Sequence, residues 1–344
     1  MSVVQPTTTR AVVWRAPDDL RLEELPLPTL GPGDVLLRIT ACGLCPGETM
    51  DWYMARKAPV VLGHEAVGVV VEAGPDAAFA PGTRLFVHHH APCLACAACR
   101  RGDHVHCAAW RPRRLLPGGL ATYAVAQAAA LVTDAHVVPA GLDDVTATFI
   151  EPLACVVKSL RRARVRPGAR VLVLGLGVMG LLHLLAARRL EPEVLIGADR
   201  LAGRVAIARP FADVVLDVTQ DVLPEAVRAA TGGEGADAVI VGPGAIDALD
   251  AGVACAAPGG TVLLFAPTPP EVRWAVAPHD LFFREVSLVA SYSAGPPDTR
   301  EALALLTTGL PVQALVTHRL PLAEAAAGYA LLRRAAALKV VVQP

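Results

Sequence analysis

Four closely spaced cysteines carry the strongest chemical signal in the chain. Cys93, Cys96, Cys99 and Cys107 form C-x-x-C-x-x-C-x₇-C, and four thiolates from one loop of about residues 91–108 can surround Zn²⁺ with no open position. Such a site orders the fold rather than catalyses; four unrelated cysteines and an iron–sulfur cluster are the alternatives. The histidines at 88–90 are interpreted as shaping the neighbouring loop or lining a pocket wall.

A second set of metal-binding residue types is dispersed along the chain. Cys45, the pair His64–Glu65, and Glu151 together supply one sulfur, one imidazole and two carboxylates. That mixture suits zinc, and a site left incomplete keeps room for a substrate. Each residue is weak evidence by itself, because an isolated His–Glu pair is more often structural.

The third chemical signal is a glycine-rich turn, Gly175-x-Gly177-x-x-Gly180, which follows a predicted strand and opens a helix predicted over 177–189; Val178 and Met179 lie within this turn as further candidate cofactor-binding residues. Its glycines permit a tight turn and close approach to a pyrophosphate, which the first-turn N–H groups of the helix would face.

An acid ends the next predicted strand, and it bears on which dinucleotide is bound. Asp199 follows Gly180 at about the twenty-residue spacing of an acid that binds a ribose 2′-hydroxyl. A carboxylate there favours NAD over NADP, although Arg200 and Arg204 weaken that preference because arginine accommodates a 2′-phosphate.

The elements that must position these residues fall into two kinds. From Ala11 to about Ala147, short strands separated by Gly and Pro predict a barrel-like β domain. A helix is expected over 146–163, and strands and helices then alternate to about residue 291, which predicts an α/β unit with a parallel sheet covered on both faces. The remaining tail predicts helices over 298–308 and 323–334 and a strand over 339–342; composition alone does not assign it to either unit.

Composition excludes several classes of function. The chain has 344 residues, 53% of them apolar, and a net charge of −1, so a nucleic-acid partner is not expected. No apolar run is long enough to span a membrane, and Met1–Arg15 lacks the pattern of a secretion signal. A cytoplasmic location is therefore expected, where a reducing environment disfavours disulfides between the eight cysteines.

These motifs, in this order, resemble those of the zinc-dependent medium-chain dehydrogenases, closest to the sorbitol and threonine dehydrogenase branch. The resemblance covers nearly the whole chain. The matching segments are Gly43-Leu44-Cys45, Gly63-His64-Glu65 with the five residues that follow, the four cysteines, Gly118–Gly119, Ile150-Glu151-Pro152-Leu153-Ala154, and residues 173–180.

The resemblance implies a discontinuous GroES-like β-barrel catalytic domain, residues 1–155 and 295–344, and a Rossmann cofactor domain, residues 156–294. It implies a catalytic zinc on Cys45, His64 and Glu65, with Glu151 as a further carboxylate, and a structural zinc on the four cysteines. The expected reaction is hydride transfer between a secondary, polyol-like alcohol and NAD by a dimer or tetramer. Threonine-type or sugar-type dehydrogenases and a non-catalytic nucleotide-binding protein are the alternatives.

The chain departs from this family where the proton relay is expected. The zinc cysteine of relatives is commonly followed by a hydroxyl residue, an aspartate and a histidine, whereas this chain has Gly47, Glu48 and Met50. Glu151 with a water, Tyr53, or Asp51 could replace the relay. We favour Glu151, because a carboxylate beside zinc is placed to act as a base.

Overall fold

Antiparallel strands build the first part of the chain, in a computed structural model that describes residues 6–112 and 114–344. The strands are β1 Thr8–Ala16, β2 Asp19–Pro26, β3 Val35–Gly43, β4 Val60–Val61, β5 Glu65–Ala73, β6 Arg84–Val87, β7 Leu115–Leu116, β8 Tyr123–Ala126 and β9 Ala135–Val137. One sheet has the order β3-β5-β6-β9, extended beyond β3 by two strands of the tail, Lys339–Gln343 and then Val316–Pro321, with β8 also paired to β3 and β7 to β8; a smaller sheet has the order β2-β1-β4.

Alternating apolar positions give these strands one buried face. Trp14, Leu37, Ile39 and Leu85 are almost fully buried in a common core, as expected where one face of a sheet is covered. Short helices connect the strands, and a longer one leads out of the unit. They are α1 Asp51–Met54, α2 Ala97–Arg100, α3 Ala128–Thr133, α4 Asp144–Ala147 and α5 Ile150–Arg162.

A six-stranded parallel sheet with the order β12-β11-β10-β13-β14-β15 forms a second unit over Cys155–Ser293. The strand order reverses beside β10, which is the switch point where doubly wound sheets bind ligands. Its strands are β10 Arg170–Leu174, β11 Val194–Asp199, β12 Val214–Asp217, β13 Ala236–Val241, β14 Ala256–Leu264 and β15 Ser287–Ala290; its helices are α6 Val178–Arg188, α7 Ala202–Ala208, α8 Leu223–Ala230, α9 Ile246–Cys255 and α10 Pro278–Arg284.

The tail, Ala294–Pro344, belongs to the same unit as the part of the chain up to Ala154. Its last strand pairs antiparallel with β3, Val341 opposite Gly43 and Val342 opposite Cys42. This pairing answers what composition left open about the tail. Its elements are α11 Pro296–Thr307, β16 Val316–Pro321, α12 Ala325–Arg333 and β17 Lys339–Gln343.

The fold class predicted from the sequence is confirmed, with three local corrections. The helix expected over 146–163 is two helices, α4 and α5, because Pro152 has no N–H for the carbonyl of Thr148 four residues earlier. The strand expected over 261–266 begins earlier, at Ala256, and ends at Leu264. Helix α10 was not predicted at all. In the described residues no helix is long and apolar enough to cross a membrane.

Candidate metal centres and dinucleotide site

Strand register brings the dispersed donors together. Gly43, the last residue of β3, lies opposite Glu65, the first residue of β5. Cys45 therefore leaves one strand beside the point where His64 and Glu65 enter the next. One ligand atom from each of these three side chains lies within 4.8 Å of the others. A thiol, an imidazole and a carboxylate at this separation fit a zinc ion with a position left for another ligand.

Glu48 orients His64, a role that was not predicted from the sequence. Its Oε1 accepts from the Gly63 N–H at 3.0 Å and lies 3.0 Å from His64 Nδ1, and its Oε2 accepts from the Tyr329 hydroxyl. Burial would raise the pKa of Glu48, but His64, Tyr329 and Gly63 together lower it to about 2. An ionised Glu48 fixes the proton on Nδ1 and leaves Nε2 of His64 for the cluster.

Lys339 is the second functional residue that the sequence analysis missed. This lysine is 1% exposed, opens the apolar strand β17, and forms an ion pair with Oε2 of Glu65. Burial raises the pKa of Glu65, while the positive charge of Lys339 opposes that rise. A Cβ at Gly43 would collide with both charged groups, so the glycine makes room for the pair. The sequence signal for a buried charge is a single lysine directly before three valines, residues 340–342.

Removing the ammonium of Lys339 should destabilise the metal-free protein strongly. We expect Lys339→Met to lower the free energy of unfolding by about 3–5 kcal/mol, because it leaves the carboxyl of Glu65 buried without a counter-charge. Urea denaturation of the wild type and the variant in the same chelator measures this loss. The double variant Lys339→Met with Glu65→Leu should regain much of it; an unchanged unfolding midpoint in Lys339→Met would contradict the role.

The candidate proton acceptors occupy different surroundings. Glu151 is 5% exposed in the first turn of α5, and its charge adds to the rise in the pKa of Glu65; it lies outside the 4.8 Å group. Asp51 forms an ion pair with Arg333 at 2.7 Å. Tyr53 packs partly against the core, with Lys57 Nζ 3.7 Å from its ring centroid.

The four predicted cysteines converge on one point. Their sulfurs lie within 4.8 Å of one another, and Cys93 Sγ and Cys107 Sγ each accept a backbone N–H at 3.3–3.4 Å. Backbone N–H groups of Ala95 and Cys96 lower the pKa of Cys93 to about 6, which favours the thiolate that binds metal. The donor set fits a closed tetrahedral zinc site.

The glycine-rich turn has the backbone that a dinucleotide site requires. Gly175 has φ +86°, a conformation that favours glycine, and a Cβ at Gly180 would collide with the carbonyl of Gly175. Gly177 precedes α6 as its N-cap, so the N–H groups of Val178 and Met179 open that helix.

Asp199 is built into the same turn. It is 6% exposed and accepts from the N–H groups of Leu176 at 2.6 Å and Leu201 at 2.8 Å. Arg204 Nη1 lies 3.7 Å from the Asp199 carboxylate, beside Gly177. The predicted cofactor residues are thus brought to one end of the sheet.

Comparison with known proteins gives consistent matches. Residues 31–138 match the family described as alcohol dehydrogenase GroES-like domain, and residues 165–308 match zinc-binding dehydrogenase. The chain is 30% identical to erythritol/L-threitol dehydrogenase of Mycolicibacterium smegmatis over 94% of each chain. It is 33% identical to D-altritol 5-dehydrogenase of Agrobacterium fabrum, covering 88% of this chain and 90% of that one.

A solved structure from Sinorhizobium meliloti, described as a zinc-binding dehydrogenase bound to NADP, has a TM-score of 0.86 and 27% identity, covering 98% of this chain and 100% of that one. The fold and the donor sets define a class, the zinc-dependent, nicotinamide-linked oxidoreductases. Within that class, the chain belongs to the zinc-dependent alcohol dehydrogenase family, in its sorbitol dehydrogenase-like branch. It is an enzyme that acts on the CH–OH group of a small molecule.

Proposed function

We propose that this enzyme interconverts a secondary alcohol of a polyol-like substrate and the corresponding ketone, with NAD as the hydride acceptor. The observation that carries the proposal is the convergence of Cys45, His64 and Glu65 within 4.8 Å. Relatives named for erythritol, threitol, altritol and sorbitol support a polyol as the substrate class.

The proposed metal content is two zinc ions for each chain, one held by Cys45, His64 and Glu65 with Glu151 as a further carboxylate, and one held by the four cysteines. When bound, zinc supplies Lewis acidity toward an alcohol oxygen, and the nicotinamide supplies the hydride acceptor. Glu48 keeps Nε2 of His64 available, and Lys339 compensates the charge of Glu65.

Glu151 is the proposed acceptor of the hydroxyl proton, directly or through a water. It is a buried carboxylate near enough to Glu65, a proposed zinc ligand, to affect the pKa of Glu65. A buried carboxylate beside the proposed zinc ligands is placed to accept a proton from a bound hydroxyl.

The proposed cofactor contacts are the backbone of residues 175–180 to the pyrophosphate, with Asp199 and Arg204 at the adenosine ribose. The charge of Asp199 is the reason to prefer NAD, because a 2′-phosphate would lie against a carboxylate.

Neutralising Asp199 should reduce the preference for NAD. We expect Asp199→Asn to lower the ratio of kcat/KM for NAD to that for NADP roughly tenfold or more, because juxtaposed like charges cost several kcal/mol and 1.4 kcal/mol is tenfold. Initial rates with both cofactors measure the ratio. Asp199 accepts from the Leu176 and Leu201 N–H groups through different oxygens, and asparagine keeps one of these two acceptors; Asp217→Asn on the neighbouring strand is the control. An unchanged ratio would show that Asp199 does not set the preference.

Residues 1–155 and 295–344 are proposed as the catalytic domain, and residues 156–294 as the cofactor domain.

A homo-oligomer, dimer or tetramer, is also proposed. Strand β15 lies at the edge of the parallel sheet, and Phe282 and Phe283 of the preceding helix are 75% and 73% exposed. Large apolar side chains exposed beside a sheet edge favour association.

The experiment is a substrate panel of polyols, diols, threonine and aldoses, each followed by nicotinamide absorbance with NAD and with NADP. Oxidation of polyols with NAD, in preference to threonine and aldoses, is the expected outcome. A preference for threonine or an aldose would replace the substrate class. Absence of turnover with every member of the panel, with a single zinc on the four cysteines, would contradict the proposed catalytic zinc on Cys45, His64 and Glu65.

A further inference from the structure

A continuous row of aromatic rings joins the two groups of metal-binding residues. His88–His90 follow β6 directly, and β6 pairs with β5, so these histidines lie beside the start of β5 where His64 stands. Ring centroids are 4.9 Å apart between His64 and His89, 3.9 Å between His89 and His90, and 3.9 Å between His90 and Trp110. All of these rings belong to the first unit.

The far end of this row is part of the core of the four-cysteine lobe. Trp110 is 3% exposed and packs with Cys99, Val105 and Cys107. Among the described residues this small cluster is the apolar core of the lobe, so the order of the lobe depends on metal binding to its thiolates. Trp110 therefore keeps its position only while the lobe is ordered.

His88, which directly precedes the row in sequence, forms a buried ion pair with Asp134. His88 is fully buried, and its Nδ1 lies 3.0 Å from Oδ2 of Asp134, while Oδ1 of Asp134 accepts from the Thr299 hydroxyl. The His88 N–H also donates to the Asp134 carbonyl at 3.0 Å. Asp134 thus contacts His88 through both the ring and the backbone, which restrains the residue from which His89 and His90 continue.

The near end of the row bears on a metal ligand. The His64 ring is hydrogen-bonded by Glu48 at Nδ1 and by the side chain of Cys45, and hydrogen bonds in the plane of the ring leave the ring able to tilt. His89 lies across the ring at an interplanar angle of 43° and restricts the tilt. The direction of Nε2 of His64 therefore depends on these hydrogen bonds and on the contact with His89.

We propose that His89, His90 and Trp110 are positioning residues that couple the four-cysteine lobe to the Cys45, His64 and Glu65 cluster, so that metal in the lobe raises the affinity of the cluster for its own metal. The proposal rests on the proposed function, in which the cluster holds a catalytic cation. The rings act through contacts between tilted neighbouring rings and not as ligands, because none of the three histidines at 88–90 belongs to either group of potential ligands among the described residues.

The test is a titration of the full-length apoprotein with Co²⁺, whose four-thiolate and mixed Cys/His/carboxylate complexes have distinguishable absorption spectra. His90→Ala and Trp110→Ala are each paired with a variant that retains an aromatic ring, His90→Phe and Trp110→Phe. We expect each alanine variant to weaken the mixed-ligand site roughly tenfold, the lower end of the effect of outer-shell partners, and each phenylalanine variant to stay within about threefold of the wild type on the same scale.

The cobalt titration tests the proposed catalytic centre and the proposed coupling separately. If the wild type binds cobalt only in the four-thiolate site, the catalytic centre of the proposed function is wrong. If the wild type fills both sites and the alanine variants bind in the mixed site as tightly as it does, the coupling is wrong while the proposed function stands. If the phenylalanine variants bind cobalt in the mixed site as weakly as the alanine variants do, the proposed coupling through ring contacts is also wrong. If Trp110→Ala loses cobalt from the four-cysteine lobe itself, the test of the coupling is His90→Ala, because His90 is not part of the lobe core.

Discussion

Replacing Glu151 by glutamine should lower kcat about 10²–10⁴-fold, the usual contribution of a positioned general base. The substitution preserves the size of the side chain and its place in the first turn of α5, but the amide cannot accept the hydroxyl proton. Steady-state turnover with a polyol that the substrate panel identifies measures the effect, and the affinity for NAD, measured by quenching of protein fluorescence, should stay unchanged.

Two matched variants distinguish Glu151 from the other candidates. Tyr53→Phe and Asp51→Asn each remove one alternative acceptor, and both are expected to stay within roughly threefold of wild-type turnover, far less than a lost general base. Wild-type turnover in Glu151→Gln, with a large loss in either of the other two, would transfer the role to that residue.

Replacing Cys45 by serine should remove one of two bound zinc ions and nearly all activity. Serine is a poor zinc ligand, and a Lewis acid contributes several kcal/mol, so the expected loss of kcat/KM is at least roughly 10³-fold at about 1.4 kcal/mol per factor of ten. Elemental analysis of the dialysed protein measures the metal content. The serine oxygen can still accept from the Gly47 N–H, as Cys45 Sγ does at 3.3 Å, so the local turn should persist.

Cys155→Ser is the matched control, because it replaces a thiol that lies outside both groups of potential ligands. That variant should retain two zinc ions and wild-type turnover. Two zinc ions in Cys45→Ser would remove Cys45 from the ligand set, and a loss of zinc in Cys155→Ser would place this thiol in the centre instead.

Local patterns were enough to predict most of the architecture. The strand–helix alternation of the second unit is visible in the sequence because fully buried parallel strands are uninterrupted apolar runs. The glycine-rich turn at Gly175–Gly180 lies between one such strand, β10, and helix α6. The break at Thr148 could also have been predicted from Pro152, since the missing N–H is a property of the residue itself.

The parts of the site that were missed depend on contacts between distant segments. Glu48 acts on His64 only because β3 and β5 are adjacent, and Tyr329 reaches Glu48 across 281 positions of sequence. Lys339 is paired with Glu65 only through the pairing of β17 with β3. Hydrophobic periodicity reports the secondary structure of a segment and not which segment will lie beside it, so these partners require the tertiary structure.

The ion pair between Lys339 and Glu65 has a consequence for the order of events during biosynthesis. The two residues are 274 positions apart, so at 5–20 residues per second the ribosome adds the lysine roughly 15–55 seconds after the glutamate. Throughout that interval the nascent first sheet holds an acid whose counter-charge has not been made. Closure of that sheet around the acid is therefore a late, post-elongation step, and the second unit, which is completed earlier, can fold ahead of it.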